Sequence, residues 1–281
     1  MITLAEVQRI AGSLGVIPTI VDHDYVIGCF LHFLGLQQEV RTSWLFKGGT
    51  SLQKCHFGKY RFSEDIDFTV TDTLTSEGLL SIVNRAKTAM QDGIGIKADE
   101  VATRVETIED DYGKESLEAR VYYRGPWNYG GSGKSLQIQV SRGELISFPV
   151  LEKPIFHSYS DANQLSDNPL RTYSLEEVFA EKIRAFSGQR KHAIARDIFD
   201  LYYLEKRGAD VESAISVFPA KCGAKGIDSS SLSVDTAQSR RDDYRLNWDR
   251  NLEYLVPREL RIPFEEAWKS AIATLDRALK S

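Results

Sequence analysis

The chain has 281 residues, a formal net charge of −5, 42% hydrophobic residues and 27% charged residues. These values are typical of a folded protein with one large or two ordinary domains. They exclude a uniformly basic nucleic-acid binder, so that any RNA site must be a local patch. Three widely spaced cysteines fit neither a disulfide framework nor a zinc motif and favour a reducing cytoplasm. The sequence shows neither a signal peptide nor an apolar run long enough to span a membrane.

Two helices are predicted before the first strand. Apolar residues recur near helical spacing over residues 3–15, where Thr3 can cap the helix, and again over 19–38. We interpret both helices as cover for a sheet. A short apolar strand follows at residues 44–47.

A pair of glycines ends this strand, in the run Lys47-Gly48-Gly49-Thr50. Glycine has no Cβ, so the backbone can turn tightly and approach a ligand closely. Thr50 is a candidate N-cap for a helix over about 50–57, and a helix N-terminus after glycines favours bound phosphate. An ordinary turn followed by a helix is the alternative.

Two aspartates, Asp65 and Asp67, begin a second predicted strand over 65–71. Residues two apart on a strand point to the same face, so the two carboxylates lie side by side and raise each other's pKa. Mg²⁺ accepts one or two carboxylates and leaves its other positions to water and substrate phosphates. The working hypothesis is a metal-dependent phosphoryl or nucleotidyl transfer site, and a solvent-facing pair at a strand edge is the alternative.

The middle of the chain predicts a helix over 75–91 and strands over about 96–108, 116–124 and 135–141. Gly133-Lys134-Ser135 looks like the end of a Walker A motif, but Asn128 stands where that motif needs glycine and a strand follows. We interpret residues 125–135 as a glycine-rich hairpin loop. Residues 142–172 are predicted to be irregular and to join two domains, 1–172 and a mostly helical 173–281.

Two polar residues stand out in the helical part. Ser174 and Glu177 form a capping box for a helix over 175–186, and the neighbours of Lys182 one turn away are all apolar. An unpaired lysine on this inward face would be costly, although its stem could pack on the core while its amine reaches water. Asp197 lies on the next predicted helix, where ordinary helix surface is the alternative.

Four motifs, in this order, carry a family resemblance. The chain resembles the AbiEii/MenT-type nucleotidyltransferase toxins of the DNA polymerase β-like superfamily over about residues 44–204, through residues 47–52, 61–67, 181–185 and 195–201. The resemblance implies an α+β fold, with a mixed sheet flanked by helices and a C-terminal helical domain that completes the active site. It also implies an NTP substrate, an RNA acceptor such as the 3′ end of tRNA, blocked translation and a cognate antitoxin partner.

The resemblance further implies a role for each residue of the site. Asp65 and Asp67 would be catalytic and would bind Mg²⁺ or Mn²⁺, with Lys182 and Asp197 as further catalytic residues, and Asp200 would be structural or supporting. The NTP would contact Lys47, Gly48, Gly49, Thr50, Arg61, Ser63 and Lys182. Such transfer depends largely on positioning and on neutralising spread negative charge, which carboxylates, a metal and cations supply.

One departure from the superfamily pattern concerns a third carboxylate, which members often carry on a later strand. Gln139 or Gln137 holds the matching position here, and an amide is a weaker metal ligand than a carboxylate and cannot act as a base. Three explanations stay open: the strand alignment is wrong, Asp197 serves instead, or the enzyme uses a reduced metal site.

The sequence leaves the acceptor and even the activity open. Eight basic residues could form a local groove for RNA, and scattered solvated charges are the alternative. They are Lys54, Lys59, Arg61, Arg184, Arg190, Lys191, His192 and Arg196. A nucleotidyltransferase that modifies a small molecule or a protein is a second hypothesis. A non-catalytic module that binds NTP or RNA is a third, suggested only by the missing carboxylate.

Overall fold

A mixed sheet organises the chain in the computed structural model, which describes residues 1–98, 101–109, 113–127, 133–165, 167–190 and 192–281. Within these residues the strands are β1 (Trp44–Lys47), β2 (Asp65–Val70), β3 (Lys97–Ala98), β4 (Arg104–Glu109), β5 (Glu115–Arg124), β6 (Lys134–Arg142), β7 (Leu151–Lys153) and β8 (Leu170–Thr172). Their order across the sheet is β3-β5-β6-β2-β1-β8-β7, and β4 also pairs with β5. This mixed sheet with flanking helices confirms the predicted α+β fold.

The helices belong to two parts of the chain, a first part up to β8 and a second part after it. Those of the first part are α1 (Leu4–Leu14), α2 (Pro18–Gly35), α3 (Gln38–Ser43), α4 (Gly48–Ser51), which continues as a π-helical segment over Leu52–Phe57, and α5 (Ser76–Ile94). Those of the second part are α6 (Leu175–Arg184), continued by a π-helical segment over Ala185–Gln189, α7 (Ala195–Lys206), α8 (Val211–Ser216), α9 (Phe218–Ala224), α10 (Val234–Gln238), α11 (Arg241–Asn251) and α12 (Phe264–Ala278). No single helix among the described residues is long and apolar enough to cross a membrane; α1 and α2 meet the criteria only as a pair, bent by 113°.

The two faces of the sheet meet different cores. Phe46 and Phe68 pack into a core with Phe30 of α2 and Val83 of α5, because alternation along a strand sends every second side chain to that face. Their strand neighbours Lys47 and Asp67, which are paired across β1 and β2, therefore face the other way. A second core belongs mainly to the C-terminal helices.

The two cores do not divide the chain at one residue. Leu45, Leu52 and Tyr60 come from the first part of the chain and pack in the core of the C-terminal helices. Leu255 of the second part packs in the core of the first. The domain boundary between residues 172 and 173 stays a prediction.

Several predicted element bounds were wrong. The helix expected over 19–38 is α2, which ends earlier, at Gly35, and α3 after it was not predicted; the strand expected over 96–108 is two strands, β3 and β4. Residues 142–172, expected to be irregular, contain β7 and β8, and β8 pairs in parallel with β1. Strands of three residues bury too few side chains to leave a periodic pattern in the sequence. Residues 128–132 of the predicted hairpin loop lie outside the described residues.

Candidate active site

A cleft of about 390 Å³ lies between the open face of the sheet and helices α6 and α7. Motifs that are more than a hundred residues apart in the sequence meet here, since β1 and β2 form the floor and α6 and α7 form the wall. Of the predicted site residues, those lining the cleft are Lys47, Gly48, Gly49, Arg61, Ser63, Asp65, Asp67, Lys182 and Asp197. Thr50 lies beneath the cleft.

The two carboxylates of β2 stand side by side on the cleft floor. Burial, and then the charge of Asp65, raise the pKa of Asp67 to about 6, against the opposing influence of Lys47, Lys182 and Arg196. Asp65 is more open, and its Oδ2 lies 3.5 Å from Nη1 of Arg196. Asp67 therefore binds a proton more readily than an ordinary aspartate, and a cation between the two carboxylates would favour its ionised form.

The Gly-Gly turn is shaped by contacts inside the chain. Gly48 has a φ of +76°, and a Cβ there would lie 2.5 Å from Oδ2 of Asp67, so a side chain would be both strained and overlapping. A Cβ at Gly49 would overlap the guanidinium of Arg61. Because neither glycine has a side chain, the backbone lies directly against the carboxylate of Asp67 and the guanidinium of Arg61.

Thr50 supports the floor of the cleft from below. Its side chain is buried, and its hydroxyl donates a hydrogen bond to the backbone carbonyl of Asp65. The hydroxyl is therefore not the predicted N-cap, and the helix begins earlier, at Gly48. The predicted contact of Thr50 with phosphate stays a prediction.

Lys182 and Asp197 are partners of each other. Lys182 Nζ lies 2.6 Å from Oδ1 of Asp197 and 3.1 Å from Oδ2 of Asp200, and Arg190 Nη1 lies 2.7 Å from Oδ2 of Asp197. Burial alone would raise the pKa of Asp197, but Lys182 and Arg190 lower it to about 2. Asp197 is thus an anion that holds two cations at the wall of the cleft.

Two further buried acids hold cations of the site: Asp200, expected to be structural or supporting, and Glu144, which the sequence did not predict. Asp200 binds the guanidinium of Arg61, and Glu144 accepts from Lys47 at 3.4 Å and from Lys225 at 2.9 Å. Burial would raise the pKa of Glu144, but the two lysines lower it to about 2. Only the spacing of Asp200, three residues after Asp197 on one helix, offered a signal in the sequence.

The predicted basic cluster divides into separate groups. Arg184, Arg190 and Arg196 line the cleft. Lys54 is buried and pairs with Asp24 at 2.8 Å, so it belongs to no RNA groove. Lys191 lies outside the described residues.

The strand register answers the question of the third carboxylate. β2 and β6 run in parallel, with Asp67 opposite Gln139 and Asp65 opposite Gln137. β6 is therefore the strand beside the aspartate pair, and an amide stands opposite each of the two aspartates. Among the described residues, no three acids, histidines or cysteines are grouped so that they could hold a metal ion.

A model of the family described as the nucleotidyl transferase AbiEii toxin of type IV toxin–antitoxin systems matches residues 34–274, most of the chain. The chain belongs to the AbiEii toxin family. It is a nucleotidyltransferase, as the four motifs predict. None of the curated proteins matches this AbiEii family member by sequence.

Solved structures share the fold of this AbiEii protein. MenT4, a nucleotidyltransferase toxin from Mycobacterium tuberculosis H37Rv, superposes with a TM-score of 0.62 at 19% identity, over 100% of this chain and 99% of MenT4. JHP933 from Helicobacter pylori superposes with a TM-score of 0.59 at 19% identity, over 94% of each chain. At this level of identity the likeness shows the fold alone.

Proposed function

We propose that this protein transfers a nucleoside monophosphate from an NTP to a hydroxyl of RNA, at the 3′ end of tRNA, in a metal-dependent reaction. The modified tRNA would block translation in the cytoplasm, and a cognate antitoxin would neutralise the protein. The observation that carries the proposal is the meeting of Asp65 and Asp67 with the Gly48-Gly49 turn and Lys182 in one cleft. Family membership supports the toxin and its antitoxin partner.

The donor set of the cleft fits a hard divalent cation. Asp65 and Asp67 present carboxylate oxygens on one strand face, which are the ligands that Mg²⁺ and Mn²⁺ prefer. The charge of Asp65 helps to raise the pKa of Asp67, so that a cation between the two carboxylates would favour the ionised form of both. These two residues would hold the metal. When bound, the metal would neutralise charge on the phosphates and help to align the attacking hydroxyl.

The protein's own cations would bind the triphosphate. Lys182 and Arg190 are held at the cleft wall by Asp197, and Arg196 lies 3.5 Å from Asp65. Groups that are fixed before the substrate arrives lose little freedom in the transition state, where charge spreads over the phosphate oxygens. The bare backbone of the glycine turn lets the phosphates come close to the floor.

Arg190 and Arg196 also suit an RNA acceptor. Their side chains are 26% and 28% exposed, more than that of Lys182 at 15%, so they lie toward the mouth of the cleft. Arginines in this position can contact the phosphates of an incoming strand. The local positive charge accounts for RNA binding by a chain with a net charge of −5.

A transfer assay tests the proposal. The protein is incubated with Mg²⁺, each labelled NTP in turn and total cellular RNA, and then again as Asp65→Ala and as Asp72→Ala, a matched control in the exposed turn after β2. Label is expected in tRNA-sized RNA with the wild type and the control and to be lost with Asp65→Ala. Label on a small molecule or on protein would instead establish a different acceptor, and no transfer to any acceptor would refute the proposal.

A further inference from the structure

A row of polar side chains crosses four strands of the sheet on the cleft side. The register places Lys47 of β1 opposite Asp67 of β2, Asp67 opposite Gln139 of β6, and Gln139 opposite Glu118 of β5. Residues that are directly opposite in neighbouring strands share a face. Gln139 therefore lies between an aspartate of the proposed metal pair and a second carboxylate one strand further away.

Glu118 is placed to receive amide hydrogens. It is 6% exposed, its Oε2 accepts from Nε2 of Gln137 at 2.6 Å and, at 3.5 Å, from Nε2 of Gln139, and its Oε1 accepts from Nε of Arg120 at 2.6 Å. An ionised carboxylate can only accept hydrogen bonds, whereas a carboxamide has one donating and one accepting end. The donating ends of both glutamines are therefore drawn toward β5.

The orientation of the Gln139 amide follows from this contact. The nitrogen and oxygen of a carboxamide lie in one plane and point in different directions from the carbonyl carbon, and β6 lies between β5 and β2. With the NH₂ group facing Glu118, the carbonyl oxygen points away from Glu118, and the residue opposite Gln139 on its other side is Asp67. Glutamine carbonyl oxygens are among the ligands that hard cations accept.

Asp197 does not compete for this position. Its Oδ1 is taken by Lys182 and its Oδ2 by Arg190, at 2.6 and 2.7 Å. An amide also adds an oxygen to the pair of β2 without a third negative charge. That difference matters because Asp65 and Asp67 are like charges on one face of β2 and already repel each other.

We propose that Gln139 supplies the third protein oxygen of the metal site through its amide carbonyl, and that Glu118 is the positioning residue that turns this oxygen toward Asp67. The inference rests on the proposed function, since it concerns the same site. Glu118 itself touches neither metal nor substrate in this arrangement. Its influence reaches the site only through the orientation of the Gln139 amide.

Binding of Mn²⁺ alone tests the proposal without any turnover. The dissociation constant is measured by electron paramagnetic resonance on the full chain, as wild type, Gln139→Leu, Glu118→Gln and Glu115→Gln. Glu115 is a matched control on the same strand, where it pairs with Arg142 at 3.4 Å. We expect at least about tenfold weaker binding for Gln139→Leu, which loses a metal ligand, about tenfold weaker binding for Glu118→Gln, which loses the partner that orients this ligand, and unchanged binding for the control. Wild-type binding in Gln139→Leu would overturn the proposal.

A gain of affinity separates this role from a merely structural one. The exchange variant Glu118→Gln with Gln139→Glu moves the carboxylate next to Asp67 and keeps one amide–carboxylate contact between the strands. We expect it to bind Mn²⁺ about tenfold more tightly than the wild type, because a carboxylate is a stronger ligand of a hard cation than an amide, and unchanged or weaker binding would contradict the proposal. If Asp65→Asn abolishes Mn²⁺ binding while Gln139→Leu does not, only this inference fails; if the wild type binds no Mn²⁺, the proposed metal dependence fails with it.

Discussion

The guanidinium of Arg61 forms a two-point ion pair with the carboxylate of Asp200, with Nε 2.7 Å from Oδ1 and Nη2 2.6 Å from Oδ2. Both side chains are buried. The same carboxylate also accepts from the hydroxyl of Tyr60 at 3.0 Å and lies 3.1 Å from Lys182 Nζ. One acid on α7 thus joins the loop before β2 to the cation on α6.

Removing the charge of Asp200 should strongly destabilise the fold. Asp200→Asn leaves the guanidinium of Arg61 buried beside a neutral partner, which costs about 3–5 kcal/mol for a buried pair. Urea denaturation measures the loss as a change in the free energy of unfolding. The control is Glu265→Gln, which breaks an exposed pair with Arg241 and should change stability by less than about 1 kcal/mol. Equal losses of stability in the two variants would contradict a stabilising role for the buried pair of Asp200 and Arg61.

Asp67 should lower stability at neutral pH. Its folded pKa of about 6 lies above the ordinary value of 3.8, so the folded state holds the proton more tightly, and stability falls as the pH rises from about 4 to about 6. Asp67→Asn removes this titration and should be more stable than the wild type by about 2–3 kcal/mol at pH 8 without metal, but not at pH 4. Thermal unfolding in chelator at both pH values measures the difference. A constant difference at the two pH values would argue against the raised pKa.

Gly49 should not tolerate a side chain. Gly49→Ala places a Cβ against the Arg61 guanidinium, and since Asp200 holds that group in place the overlap should cost about 1–3 kcal/mol. Gly12→Ala is the matched control, because a Cβ at Gly12 of α1 meets no atom within 4 Å. The control should stabilise the helix by up to about 1 kcal/mol. Urea denaturation of the two variants should thus give shifts of opposite sign.

Lys182 should matter more for turnover than for NTP binding. Lys182→Met removes a fixed positive charge from the cleft wall, and we expect kcat to fall about 100-fold or more, as for other fixed transition-state donors. Steady-state transfer from labelled NTP separates kcat from KM. Lys269→Met on the exposed side of α12 is the control and should change neither. A large rise in KM with an unchanged kcat would place Lys182 in ground-state binding only.

Local patterns in the sequence predicted the parts of the site that lie within one element. The aspartate pair follows from residues two apart on a strand, the bare turn from two glycines, and the inward position of Lys182 from its neighbours one helical turn away. The motif order then identified the family, which the family model confirms. The short strands β7 and β8 were missed because a three-residue strand has no readable period.

The sequence by itself therefore determined the α+β fold and the enzyme class, and it predicted the candidate reactive groups. Only the tertiary structure decided which side chains pair with each other in the site. It pairs Asp197 with Lys182 and Arg190, pairs Arg61 with Asp200, and places Gln139 between Asp67 and Glu118. These partners come from separate elements, and their meeting depends on strand register and helix packing. Side-chain periodicity reports only the face of one element and carries no information about the residue that lies opposite.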